Sequence, residues 1–588
     1  MRASIGNLKA DGVPAPAESA RRWRTAFWVV WTALLIAKIT LAATLAPFGD
    51  EAWYWQESRH LASGYSDLPP LTAWLIRLGE ATLGHSVLSM RAPFLLLGAL
   101  LPLVVVRTAT RMFDEAAGWC AGLLTLGLPL LGTLGLFALP DVALTLAGAL
   151  ALDALERAVR ELRTRDWLVL GLALAAACLS HYRAGMLLFA GLIFCMVTPR
   201  GRTLWRMSGF WLALGVALLG LLPIVLYNAQ HAWVGFGFQF VDRHPWSFHA
   251  DALVQPLEQA LVCTPLFYGL LLWACWKALR RRGEGAPWDL FAICALVPIL
   301  AYFALGLFAD ATRFRVHWPL PGYLPLLIAL PALLRGSRLR AFALAAFAVL
   351  ALGNAVAYAY LAAAAVPGGT TVLARVKAFP EHFVGWHEAA QETRDLLAQP
   401  RFRDHVVVAD NFMLAAELDF AFGGERPVYA LDQPINTKHG RAAQLAIWQR
   451  DETALNALGP RSILLAAEPT ARRERERAAW MQSLCTRVGD LVPVASLDLY
   501  AGRKRFRFFS GEIPADDYST SKPCRRTGSV LKFTLPVIEE STVSVAVIDS
   551  FMFAACSVAE NVPAPLLRVL SAGSTAPASV LVKCTTPE

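Results

Sequence analysis

The sequence predicts a mostly α-helical, polytopic membrane domain of about eleven spans followed by a small α/β domain. Three observations carry this. Apolar stretches long enough to cross a hydrocarbon layer of roughly 30 Å recur from residue 26 to about residue 362 and then stop. Of 588 residues, 56% are hydrophobic and 17% charged, with a mean hydropathy of +0.45, which is more apolar surface than a soluble core of this length needs. Arginine clusters occupy every second connection between the stretches, and the alternate connections hold few Lys or Arg.

Residues 1–25 read as a polar cytoplasmic tail, because no apolar segment of a cleavable signal precedes the first span. The spans are Ala26–Leu45, Pro93–Thr110, Ala117–Leu136, Pro140–Ala158, Trp167–Ser180, Gly185–Val197, Gly209–Tyr227, Ala260–Trp276, Leu290–Phe308, Leu320–Leu334 and Ala341–Leu361. Arg21, Arg22 and Arg24, Arg107 with Arg111, Arg157 to Arg165, Arg200 to Arg206, Arg280 to Arg282 and Arg335 to Arg340 then mark the cytoplasmic side. The odd number of spans puts the C-terminal domain on the opposite face, the periplasmic side of a cell inner membrane. The net charge of +9 accordingly reports topology, and the partner it implies is the lipid bilayer, not nucleic acid.

Beyond the membrane domain (26–364), Val366-Pro367-Gly368-Gly369 reads as a hinge. The α/β domain spans 365–515, with strands expected at His405–Ala409 and Ser462–Ala466 and helices at Trp386–Leu397, Met413–Phe420 and Arg472–Leu484. Residues 516–588 form a Ser-, Thr- and Pro-rich extension of low order or weak β character. Six cysteines lie in spans as apolar fillers. Cys485, Cys524, Cys556 and Cys584 fall in the outer region, where they permit two disulfides in three connectivities. No Cys or His spacing points to a structural metal.

Charged residues at the outer edge of apolar helices are the first candidates for chemistry. Asp50 and Glu51 follow the first span and open Asp50-Glu51-Ala52-Trp53-Tyr54-Trp55, which alone reads equally well as an aromatic belt with solvated acids. Asp141, at the start of the fourth span, alone reads as a helix cap. Topology places it on the same face as Asp50, and that coincidence favours a site. Between them, Tyr65-Ser66-Asp67-Leu68-Pro69-Pro70-Leu71 lies in a loop too long for a connector, whose tryptophans suggest helices lying in the interface. Arg183, Arg313 and Arg315 also fall on the outer face, against the positive-inside bias. Holding a phosphate is one reason, snorkelling the other. Lys38, inside the first span, reads either as a group that stabilises a phosphate or pairs with an acid or as a buried structural charge, and is left out of the site.

These residues resemble the bacterial glycosyltransferase family 39-like proteins, relatives of the protein O-mannosyltransferases and the lipid A aminoarabinose transferase within the GT-C superfamily. The resemblance runs through Asp50-Glu51-Ala52-Trp53-Tyr54-Trp55, Asp67-Leu68-Pro69-Pro70-Leu71, Leu139-Pro140-Asp141, Asn228-Ala229-Gln230-His231-Ala232-Trp233 and Arg315-Val316-His317-Trp318. In the outer domain it adds Gly385-Trp386-His387-Glu388 and Ala409-Asp410-Asn411. It implies a GT-C-type domain whose first outer loop carries the acidic site, a polyprenyl-phosphate-linked sugar as donor, and inversion at the anomeric carbon. It points to Asp50 as the acid acting on the acceptor and to Asp141 as the second acid, with Glu51 the next candidate. Trp53 and Leu68 stand where the aminoarabinose transferase has cations, so Arg183, Arg313 and Arg315 are assigned to the donor phosphate. Tyr54, Asp67, Tyr182 and His317 are assigned to substrate binding. The sequence names no cofactor and leaves a divalent metal open.

The chemistry is coherent on its own terms: an acceptor hydroxyl attacks C1, a carboxylate takes its proton, and arginines stabilise the departing phosphate. No nucleotide-phosphate cradle is present. A transporter or flippase is the rival class, but it would favour polar sites at the midplane and an internal repeat, and neither is evident. A non-catalytic envelope assembly protein is a third reading, distinguished by tolerance of Asp50 loss. The sugar and the envelope acceptor, whether lipid, glycan or protein, are not legible.

Overall fold

The computed structural model describes residues 16–244, 246–308, 317–376 and 378–513. Arg313, Arg315, Cys524, Cys556, Cys584 and the 516–588 extension lie outside the described residues.

Every apolar stretch is helical. The chain begins with α1 (Pro16–Thr44), α2 (Gly49–Arg59), α3 (Leu71–Leu83), α4 (Val87–Met112) and α5 (Glu115–Gly127). Among the described residues, five helices are long and apolar enough to cross a membrane: Glu18–Thr44, Val87–Met112, Ser208–Gln230, Trp288–Gly306 and Arg340–Ala364. Ala184–Val197 and Leu320–Leu334 are shorter apolar helices packed among them. The chain is an integral membrane protein. Two predicted spans depart from expectation: Ala117–Leu136 breaks at Leu128 into Glu115–Gly127 and Pro129–Gly132, and Ala260–Trp276 is not a single rod, because Ala250–Val262 and Pro265–Glu284 meet at 107°. Pro265 has no N–H to continue the preceding helix and opens a new one at its first position.

The two ends of the bundle differ in chemistry. At one end the arginine clusters are matched by buried acids: Arg107 to Asp153 at 3.0 Å, Arg111 to Glu156 at 3.3 Å and Arg200 to Asp289 at 2.7 Å. The opposite end carries the start of α2, the start of the helix Pro140–Glu161 and the turn at His181–Arg183. Lys38 is spent structurally, its Nζ donating to the Leu134 carbonyl at 2.7 Å.

Among the described residues, the C-terminal domain carries a five-stranded sheet, β1 (Val406–Ala409), β2 (Val428–Ala430), β3 (Ser462–Ala467), β4 (Val492–Leu499) and β5 (Lys504–Glu512), in the order β2-β1-β3-β5-β4. β1 pairs in parallel with β2 and β3 (Val407 opposite Val428 and Leu464), while β5 runs antiparallel to β3 and β4. The alternation of a strand sends Val407, Ala409, Leu464 and Phe508 into one core and Val408, Ile463, Leu465 and Phe509 into another. The first core is continuous with Trp53, Trp55, Phe48 and Leu139 of the membrane domain. The second packs against Trp480 and Leu484 of the helix Glu474–Val488.

Two expectations change. Trp53 and Trp55 do not form an interfacial belt: both are 0% exposed, because the helix Phe412–Ala421 packs over α2, with Phe412 edge-on to Trp53. Pro367 does not open a loose hinge but is the first residue of a helix, Pro367–Arg375.

Candidate active site

The first pole of the site is built where α2 meets the outer domain. A Cβ on Gly49 would stand 2.0 Å from Met413 Cγ, so only glycine lets the two pack this closely. Asp50 follows in the first turn of α2, where unpaired N–H groups favour a carboxylate. Its Oδ1 accepts from Arg441 Nη2 at 2.6 Å, and Arg441 Nε lies 3.4 Å from Asp67 Oδ2. Arg441 comes from the outer domain and is 3% exposed. Its guanidinium is stacked among Phe412 at 4.4 Å, Trp53 at 5.2 Å and Tyr54 at 5.7 Å.

The local sequence fixes that arginine. Asn411 caps the helix carrying Phe412 by accepting from the N–H groups of Met413 and Leu414 at 2.9 and 3.2 Å. Gly440 has φ +77°, and a Cβ there would lie 2.5 Å from the Phe238 ring. Ser66 Oγ donates to the Gly440 carbonyl at 2.6 Å, and Gln444 Oε1 accepts from the Ser66 N–H at 2.9 Å and the Tyr227 hydroxyl at 2.7 Å. The first outer loop and the outer domain are thus stitched together on both sides of Arg441.

The second pole surrounds Asp141. The helix-cap reading does not hold: the N-cap is Leu139, and Asp141 lies inside the first turn. It pairs with Arg183 and has His317 Nε2 at 3.4 Å. Arg183 Nε stands 3.3 Å from His181 Nε2, and its guanidinium lies 5.9 Å from the Trp318 ring. Arg243 approaches the same ring at 5.5 Å and reaches Gln239 Oε1 at 2.9 Å.

One cavity joins the poles. Asp50, Tyr54, Asp67, Asp141, Arg183 and His317 all line it, together with Leu68, Leu139, Pro140, His181, Phe238, Arg243, Trp318, Lys438, His439 and Arg441. Of the residues singled out from sequence, Tyr182 lies beside it, 3.5 Å from Asn228 Nδ2 and edge-on to Phe236. Glu51 is turned away. Its oxygens accept from Arg91 Nε at 2.8 Å, Arg91 Nη2 at 2.5 Å and the Ala138 N–H at 2.8 Å, and both side chains are fully buried. Glu51 therefore sits where a structural ion pair belongs, not where a substrate arrives. Arg243, Lys438, His439 and Arg441 were not singled out; the run Lys438-His439-Gly440-Arg441 is the one sequence signal of the last three. Among the described residues, no group of three or more His, Cys, Asp or Glu side chains is placed to hold a metal ion.

This architecture has the fold of a solved protein, ArnT. The crystal structure of ArnT from Cupriavidus metallidurans bound to undecaprenyl phosphate superimposes with a TM-score of 0.60 over 86% of this chain and 100% of that one, at 17% identity. Its apo state gives 0.57 over 84% and 98%, also at 17% identity. More particularly, residues 67–227 match the dolichyl-phosphate-mannose-protein mannosyltransferase family. The lipid A galacturonosyltransferase RgtD of Rhizobium johnstonii is 27% identical over 282 residues, which is 47% of this chain and 58% of that protein. The chain thus spans about 58% of the length of the curated relative that it matches.

Proposed function

We propose that the protein is an inverting glycosyltransferase of the cell inner membrane, moving a sugar from a polyprenyl-phosphate carrier to an envelope acceptor at its periplasmic face. The observation that carries this reading is the cavity itself, where a carboxylate held by a buried arginine faces a second, cationic pole. The family of residues 67–227 and the undecaprenyl phosphate in the similarly folded ArnT structure support the donor class. The lipid A galacturonosyltransferase favours a glycolipid acceptor.

In this mechanism the acceptor hydroxyl oxygen bonds to C1 of the sugar while the C1–O bond to phosphate breaks. Asp50 takes the hydroxyl proton, and the carrier leaves as a phosphate with one more negative charge. Arg441 orients Asp50, and its Nη1, which has no acceptor among the described residues, is available to a substrate oxygen. Arg183, Arg243 and Lys438 supply cationic charge to the phosphate. Asp141 and His317 hold Arg183 in place, Asp67 and Tyr54 shape the acceptor side, and Tyr182 buttresses the wall. Arg313 and Arg315 keep their assignment to the phosphate as a sequence-based proposal.

Purified protein should turn over undecaprenyl-phosphate-linked sugar and not a nucleotide sugar alone. Asp50→Asn should lower turnover by about 10²- to 10⁴-fold with membrane insertion intact, as expected for loss of a general base. Wild-type turnover by Asp50→Asn, or direct transfer from a nucleotide sugar, would refute the proposal.

A further inference from the structure

The mechanism uses only the side of Asp67 that faces Arg441. The other side is occupied in an unusual way. Asp67 Oδ1 and Glu57 Oε2 are both buried and have no hydrogen-bond partner among the described residues, and the two carboxyls are close enough for the Asp67 charge to raise Glu57. Carboxylate oxygens are acceptors only, so two neighbouring buried ones left without a donor are both satisfied by a single proton between them. The rest of the pair is fixed: Glu57 Oε1 accepts from Trp53 Nε1 at 3.0 Å, and the Asp67 carbonyl accepts from Gln239 Nε2 at 2.6 Å. Glu57 is 0% and Asp67 4% exposed, so water cannot relieve the repulsion instead.

We propose that Glu57 and Asp67 hold one proton between them, and that Glu57 acts through Asp67 as a positioning residue that keeps Arg441 on the catalytic carboxylate Asp50. The inference rests on the reading of Asp50 as the base. The unequal contacts of Arg441 agree with it: 2.6 Å to Asp50 against 3.4 Å to Asp67. A half-neutralised Asp67 competes weakly for the guanidinium, whereas a fully ionised Asp67 would draw it away and release Asp50 from its orientation.

Both residues lie in the outer connection between α1 and α4, beneath the outer domain and outside the spans. Burial raises both carboxyls above the ordinary carboxylate range; the Asp67 charge adds to this at Glu57, and Arg441 opposes it at Asp67. The titratable and charged groups turned toward the pair are Arg441, Asp50, Tyr54, Tyr65, Tyr182 and Tyr227, of which Arg441 is the cation. The pair behaves as one unit with raised affinity for its proton. That proton is therefore present at low pH and lost as pH rises, and its loss lowers turnover on the alkaline side.

The test compares full-length wild type, Glu57→Gln and Glu57→Ala, purified in detergent. The Gln amide donates permanently to Asp67 Oδ1, so kcat of Glu57→Gln should stay flat across the alkaline range where wild type declines. Glu57→Ala leaves Asp67 fully ionised, and its kcat at neutral pH should fall roughly tenfold, less than the 10²- to 10⁴-fold expected for loss of the base, with KM for the lipid donor little changed. Infrared difference spectra, wild type minus Glu57→Gln, should show the C=O stretch of a protonated carboxyl at neutral pH. Superimposable pH profiles for wild type and Glu57→Gln, or absence of that band, would overturn the shared proton. Failure of wild type to transfer any lipid-linked sugar would instead overturn the glycosyltransferase reading, while the infrared band would still report on the pair.

Discussion

Arg91→Met should destabilise the protein by about 3–5 kcal/mol, the usual cost of removing one partner of a buried ion pair. Arg91 donates to Glu51 twice, at 2.8 and 2.5 Å, and to the carbonyls of Ala42, Leu45 and Ala46 at 3.1, 2.8 and 3.0 Å. One guanidinium thus binds the end of α1 to the start of α2. Through Glu51 and the Ala138 N–H it also reaches the segment that leads into Asp141. Methionine fills part of the volume but strands the Glu51 charge at 0% exposure. Glu51→Leu in the same chain removes that charge, so the double variant should regain most of the loss, with a coupling energy on the order of 3 kcal/mol. Unfolding of purified protein in detergent, followed by tryptophan fluorescence, measures all three variants. Strict additivity, with the double variant as unstable as the sum of the singles, would refute the ion-pair reasoning. Residual sugar transfer by a folded double variant would further separate Glu51 from the role given to Asp50.

Gly440→Ala introduces a Cβ 2.5 Å from the Phe238 ring at φ +77°, a conformation that costs an L-residue about 1–2 kcal/mol. The shift should move Arg441 and lower turnover by roughly tenfold or more with expression unchanged; wild-type turnover would show that the loop is not the anchor of Arg441. A reporter fused after Ala364 should be active on the periplasmic side, and activity confined to the cytoplasm would reverse the proposed orientation.

The apolar helices were legible because a run of apolar residues has few other fates: all eleven stretches fall on helices or helix pairs, of which five single helices among the described residues are long and apolar enough to cross a membrane. Length could not reveal the 107° break at Thr264-Pro265, since hydropathy is blind to direction. In the outer domain, the apolar runs of β1 and β3 were readable, but β2 has three residues and the edge strand β4 is half exposed, so neither carries a buried-strand signature. Asp50, Asp141 and Arg183 were singled out because charge at the edge of apolar helices is costly and calls for a reason, and Asp67 and His317 through the motifs that carry the family resemblance; all five line the cavity. Arg441 was missed because its partners lie hundreds of residues away, and Lys438-His439-Gly440-Arg441 has the composition of a solvated loop. Glu57 was missed because one acid in Gln56-Glu57-Ser58-Arg59 looks like a wet helix face until the outer domain is seen to cover it.

The arginine delivered from beyond the last membrane helix also has a consequence for biogenesis. A growing chain acquires Asp50, Asp141 and Arg183 early, yet the proposed base stays unaligned until residue 441 has emerged and β1 to β3 have assembled around the shared core. Inserted but unfinished molecules would therefore be inert toward the lipid carrier. A truncation or a misfolded outer domain should yield a silent protein, not one that consumes donor without an acceptor. The same dependence ties catalytic competence to the quality of the last part synthesised, so completion of folding itself becomes the licence for chemistry.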